Sequence, residues 1–114
     1  MFYGCSSLTK APELPATTLE IECYDWMFRG CSSLVESPIL KAPILSKYCY
    51  RSMLRDCTSL KKITMLATDI SASSCLGNWV NGVASSGTFI KNAAMTSLPS
   101  GKNGIPEGWT VQNY

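Results

Sequence analysis

Six cysteines are the residues in this sequence whose type and spacing first raise a question of chemistry. They stand at Cys5, Cys23, Cys31, Cys49, Cys57 and Cys75, so the separations run 18, 8, 18, 8 and 18. A zinc site asks for four ligands, usually in close pairs such as Cys-x-x-Cys. Here the shortest gap is 8 and the chain has no histidine, which argues against a metal. An even count permits disulfides. Two cysteines eight positions apart on one helix, however, lie about 12 Å apart along its axis, beyond bridging reach. Columns of three equivalent cysteines also cannot pair completely. A catalytic thiol needs an activating base, and no histidine supplies one. The favoured reading is a set of free thiols buried at tight turns, where a small polarisable side chain packs well. On that reading Cys31→Asp strongly destabilises the chain by burying an unpaired charge.

The spacing that disfavours those chemistries reveals the architecture. The segments beginning at Met1, Met27 and Met53 start alike: Met-Phe-Tyr-Gly-Cys-Ser-Ser-Leu8, Met-Phe-Arg-Gly-Cys-Ser-Ser-Leu34 and Met-Leu-Arg-Asp-Cys-Thr-Ser-Leu60. Each start follows the last by 26 residues. Leu14, Leu40 and Leu66 share a column, and Pro12 aligns with Pro38. A period of this length marks a stack of small units, none of which buries its apolar side alone. The expected organisation is three repeats, 1–26, 27–52 and 53–78, with a C-terminal cap over 79–114 in the same domain. At 114 residues the chain suits one domain.

Within a repeat, Leu8 to Leu14 reads as a short extended segment, because Pro12 is unsuited to a helix interior. Thr18 to Phe28 reads as helical. Leu19, Cys23, Trp26 and Met27 fall on one helical face, Thr17 or Thr18 serves as cap, Glu20 and Glu22 occupy the first turn, and Gly30 ends it. The expected fold class is therefore an α/β solenoid of about three strand–helix repeats with a β-rich cap. In that cap the runs Gly87–Lys91 and Trp109–Gln112 alternate as strands do.

The pattern Met-Phe-x-Gly-Cys-Ser-Ser-Leu, followed by Ala11-Pro-Glu-Leu-Pro15 and Cys23-Tyr24, resembles the BspA-type leucine-rich repeat. The segments Trp79–Lys91 and Gly104–Val111 look like the C-terminal cap of those proteins. Together these cover nearly the whole chain. The resemblance implies adhesion or protein binding, with no catalytic residues to carry over. Its members are similar to surface and secreted proteins of anaerobic gut and oral bacteria and of their phages.

Composition narrows the function further. Ten basic and eight acidic residues give a net charge of +2, and Lys61-Lys62 is the longest basic run. A phosphate-tracking surface for nucleic acid is thus not expected. No apolar run reaches the length of a membrane span, and the first residues, Met-Phe-Tyr-Gly-Cys5, do not read as a signal peptide. No cofactor is expected, and acids at catalytic spacing are missing, so an enzyme is disfavoured. Binding is better supported. With Leu8, Ala11 and Leu14 inward, Lys10, Pro12 and Glu13 face out. Their equivalents Glu36, Pro38 and Ile39, then Lys62, Thr64 and Met65, complete a mixed patch with Ile39 and Met65 at its centre. The competing reading is a merely solvated face, or Ile39 and Met65 turned inward. Tyr24, Trp26, Tyr48 and Tyr50 read as packing residues rather than a sugar platform. Arg29 and Arg55 read as a solvated ridge. The expected role is an adhesin-like binding module, extracellular or at the cell surface if part of a longer precursor. The alternative is a small phage-encoded protein, in the virion or bound to a protein inside its host.

Overall fold

A computed structural model describes residues 3–12, 14, 19–96 and 98–114. Four short strands form one parallel sheet in sequence order: β1 (Glu36–Leu40), β2 (Lys62–Met65), β3 (Thr88–Lys91) and β4 (Thr110–Asn113). Ahead of β1 the chain makes a partial rung. Lys10 bridges to Glu36, and the Val35 N–H donates to the Thr9 carbonyl at 3.4 Å. Parallel strands require crossovers, and here the crossovers are runs of turns.

The expected strand–helix repeat is therefore corrected. Among the described residues there is no helix, and residues 21–30 and 47–56 are continuous turns. The capping positions Thr17 and Thr18 lie outside the described residues. Backbone hydrogen bonding explains the difference. The N–H groups of Cys23, Asp25, Met27, Arg29 and Cys31 donate three residues back, to Glu20, Glu22, Tyr24, Trp26 and Phe28. The intervening Glu22, Tyr24, Trp26, Phe28 and Gly30 donate sideways, to Lys47, Cys49, Arg51, Met53 and Arg55 of the next coil. An α-helix sends every N–H four residues back; this ladder sends half of them laterally. The backbone permits it by entering the left-handed region at every fourth position: Glu22, Trp26 and Gly30, then Tyr48, Ser52 and Asp56, then Ser74, Asn78 and Gly82. Non-glycine residues adopt that region only where their surroundings hold them. Each coil is thus held by its neighbour.

The ladder places two adjacent side chains in every four toward the sheet. Leu45, Cys49 with Tyr50, Met53 with Leu54, and Cys57 are all buried. They meet Leu34, Leu60, Ile63, Met65 and Phe89 from the sheet side. Aromatic rings run through this core along the stack. Tyr24 stacks on Tyr50 and Tyr50 on Trp79, each pair with centroids 6.1 Å apart, and Trp79 meets Phe89 edge-on.

The stack continues past the repeats. β2 pairs with β3 at a 26-residue offset, Lys62 with Thr88, and β3 pairs with β4 at a 22-residue offset, Thr88 with Thr110. The shorter last coil is anchored by its indoles. Trp79 Nε1 donates to the Gly104 carbonyl at 2.9 Å, and Trp109 Nε1 to the Ala84 carbonyl at 2.8 Å. Gly104 is required by close approach, since a Cβ there would sit 2.0 Å from the Pro99 carbonyl oxygen.

Candidate functional site on the sheet face

The outer face of the sheet is set by strand register. Buried Ile63 and Phe89 share one row with exposed Val111, and buried Leu40 and Met65 share another with Lys91 and exposed Asn113. The outward rows are Glu36, Lys62, Thr88 and Thr110, then Ile39, Thr64, Ile90 and Gln112. β1 departs from strict repetition. Glu36 pairs with Lys62, but Ile39 pairs with Thr64, so β1 carries one extra residue between them. That residue lies in the Ser37-Pro38 bulge. Pro38 has no N–H for a ladder, and a bulge is where a strand accommodates such a residue. Ser37 Oγ accepts the Thr64 N–H at 3.1 Å, and its own hydroxyl donates to the Pro38 carbonyl at 2.8 Å.

The bulge decides the fate of the expected patch. Ile39 is exposed, at 42%. Met65 is fully buried and faces the core, which corrects the reading that placed it at the centre of an outward patch. The bulge shifts the pairing by one, so Met65 opposes Leu40 rather than Ile39. A one-residue slip reverses the face a side chain occupies. Thr64 keeps its place in an outward row but is nearly covered, and Pro38 is buried in the bulge. Lys10, Glu36 and Lys62 lie side by side and exposed, with Lys62 Nζ 3.9 Å from Glu36 Oε2. Glu13 lies outside the described residues.

A cleft of about 200 Å³ opens at this point, lined by Lys10, Ala11, Pro12, Glu36, Ser37, Pro38, Ile39 and Lys41. Its apolar part comes from Ala11, the two prolines and Ile39; its ionic part from Lys10, Lys41 and Glu36. Lys41 and Ser37 were not among the residues expected at the site. The visible signal for them was Pro38 inside an otherwise extended run, which marks a bulge. Two more open recesses lie elsewhere: one of about 420 Å³ between residues 80–85 and the loop at 101–107, and one of about 250 Å³ beside Ser74–Gly77.

The turn face is chemically occupied. Arg51 holds Asp25 through two nitrogens, Nε at 3.1 Å and Nη2 at 2.6 Å, and its guanidinium lies 4.2 Å from the Tyr48 ring centroid. This carboxylate contact pushes the Arg51 guanidinium up from its ordinary value. Arg29 covers the Trp26 ring at 4.4 Å and reaches Asp56 at 4.0 Å. Tyr3 and Trp26 stack at 5.7 Å and are exposed, so Trp26 packs against its neighbours at the surface rather than in the core. Tyr50 is core, and Tyr24 packs partly buried against it.

None of the six cysteines forms a disulfide. Cys31, Cys49, Cys57 and Cys75 are buried, whereas Cys5 and Cys23 are exposed, against the expectation of six covered thiols. Desolvation pushes the Cys49 and Cys57 thiols up to about 12, and it raises Cys31 and Cys75 as well. Thiols held this high stay protonated and poorly nucleophilic at neutral pH. Cys57 Sγ donates to the Phe28 carbonyl at 3.0 Å, tying one coil to the next. Among the described residues no group of three or more His, Cys, Asp or Glu side chains is placed to hold a metal ion, and no helix is long and apolar enough to cross a membrane. Comparisons with protein-family models, with curated proteins and with solved structures find no match to this chain.

Proposed function

We propose that this protein is a non-catalytic protein-binding module that engages its partner through the outer face of the sheet around Ile39. The observation that carries this reading is the cleft at the Ser37-Pro38 bulge, where a large apolar side chain stands exposed among charged neighbours. An apolar centre with a charged rim is the composition of a partner surface. A stacked, turn-held scaffold suits the role, because it presents strand residues at fixed spacing on a backbone bonded from coil to coil. The resemblance of the repeats to BspA-type proteins supports an adhesin-like setting for the same activity.

The test compares the protein with Ile39→Lys as bait against bacterial and host extracellular extracts. Ile39 is already exposed, so the variant is expected to keep its melting temperature within about 3 °C. A partner held by the parent and lost by the variant supports the reading. A partner held equally by both moves the site off the sheet face, and no specific partner for either overturns it.

A further inference from the structure

The cleft at the bulge is too small for a typical small-molecule site. Its volume is about 200 Å³, whereas cofactor and ligand pockets generally run from about 300 to 1,000 Å³. It is of a size for one anchoring side chain. Its apolar surface, from Ala11, Pro12, Pro38 and Ile39, favours an aliphatic or aromatic anchor. Its charge favours acidic flanks. Lys10 and Lys41 line the cleft, and Lys62 stands next to Glu36 across the strand pair. Among the described residues lining the cleft the single carboxylate, Glu36, is engaged by Lys62 at 3.9 Å. Neither Lys10 nor Lys41 takes part in an ion pair among the described residues. Both are exposed, so they act on the approach of a charged partner rather than as buried anchors. The two other open recesses present only one basic residue between them, Lys102, which shares its recess with Glu107.

We infer that the cleft recognises a protein segment in which one large apolar side chain is flanked by carboxylates, the apolar group seated against Ile39 and Pro38 and the carboxylates facing Lys10 and Lys41. This rests on the protein-binding reading above and specifies the partner's chemistry. The arrangement divides the labour in the usual way: apolar burial supplies affinity, while the lysines orient the segment and reject basic sequences.

The experiment is a nuclear magnetic resonance titration of the full chain with four capped pentapeptides: Ser-Asp-Leu-Asp-Ser, Ser-Asp-Ala-Asp-Ser, Ser-Asn-Leu-Asn-Ser and Ser-Lys-Leu-Lys-Ser. The acidic leucine peptide is expected to shift the amides of Ser37, Ile39 and Lys41. The alanine peptide should bind roughly tenfold more weakly, from lost apolar burial. The basic peptide should also bind roughly tenfold more weakly, and the acidic preference should shrink in about 1 M salt, where screening acts within about 3 Å. A Lys10→Gln/Lys41→Gln variant, which leaves the apolar lining intact, should bind the acidic and neutral peptides alike. Equal shifts from acidic, neutral and basic leucine peptides would overturn the acidic partner while leaving the sheet face as a binding surface. No shift at these amides with any peptide would overturn both.

Discussion

The first coil and the second are built from nearly the same residues, yet they occupy different environments. Cys31, Leu34, Cys49 and Tyr50 of the second coil are 0–1% exposed. Their equivalents in the first, Cys5, Leu8, Cys23 and Tyr24, are exposed or partly so. The difference is a neighbour: coil two is covered on both sides, coil one on one side. A residue's burial in this molecule is thus set less by its own type than by whether a coil lies on either side of it, as expected when stability is a sum of nearest-neighbour interfaces. At the opposite end, Trp79 and Trp109 tie the last coil to the one before it, and β4 keeps exposed side chains along its length.

Placing a charge at equivalent positions tests this contrast most severely. Cys31→Asp should cost roughly 4 kcal/mol or more, because its carboxylate would lie among fully buried neighbours. Cys5→Asp, at an exposed site, should stay within about 0.5 kcal/mol. Urea melts of the two variants measure the gap, and equal losses would break the comparison. A cavity makes the same point with less force. Leu34→Ala should cost about 3 kcal/mol and Leu8→Ala about 1 kcal/mol, since only the first leaves an enclosed void.

Alkaline pH sharpens the contrast. Cys49 and Cys57 have folded-state values pushed up to about 12, from 9.0 when unfolded. Below pH 9 both states keep the proton, and stability is unaffected by these groups. From pH 9 to 12 the unfolded chain ionises first, so stability falls as pH rises, by about 1.4 kcal/mol per pH unit for each such thiol. Chemical melts across this window should show a slope that Cys49→Ala reduces. Burial raises Tyr50 as well and adds to the loss in the same direction. The smallest expected effect concerns the turn face. Removing Arg51 should cost about 1 kcal/mol, through its two-point contact with a mostly covered Asp25, whereas removing the Arg29–Asp56 pair at 4.0 Å should cost less than about 0.5 kcal/mol. Double-mutant cycles separate the two.

The repeat period and the stacking it implies were legible in the cysteine spacing, and the sheet row Lys10, Glu36 and Lys62 followed from it. The helix did not survive, for a geometric reason. Buried positions at Leu45, Cys49, Met53 and Cys57 recur every four residues, and over so short a span that period is hard to tell from the 3.6 of a helix. The tetrapeptide rhythm comes from left-handed residues at Glu22, Trp26 and Gly30, only the last of which is a glycine that advertises itself. The candidate site was half legible. Ile39 stood where the period put it, but Met65 did not, because the Ser37-Pro38 bulge changes the offset between the strands from 26 residues at Glu36 and Lys62 to 25 at Ile39 and Thr64. Pro38 was visible, but whether the chain would absorb it as a bulge or as a strand end depended on the neighbouring coil.

The most direct test of the stacked-coil account is native thiol labelling read by peptide mass spectrometry. With a small alkylating reagent near neutral pH, Cys5 and Cys23 should be modified rapidly, while Cys31, Cys49, Cys57 and Cys75 should react only when the chain unfolds. Modification of Cys31 and Cys49 as fast as Cys5 and Cys23 would contradict the account, because those two thiols could then not lie between coils.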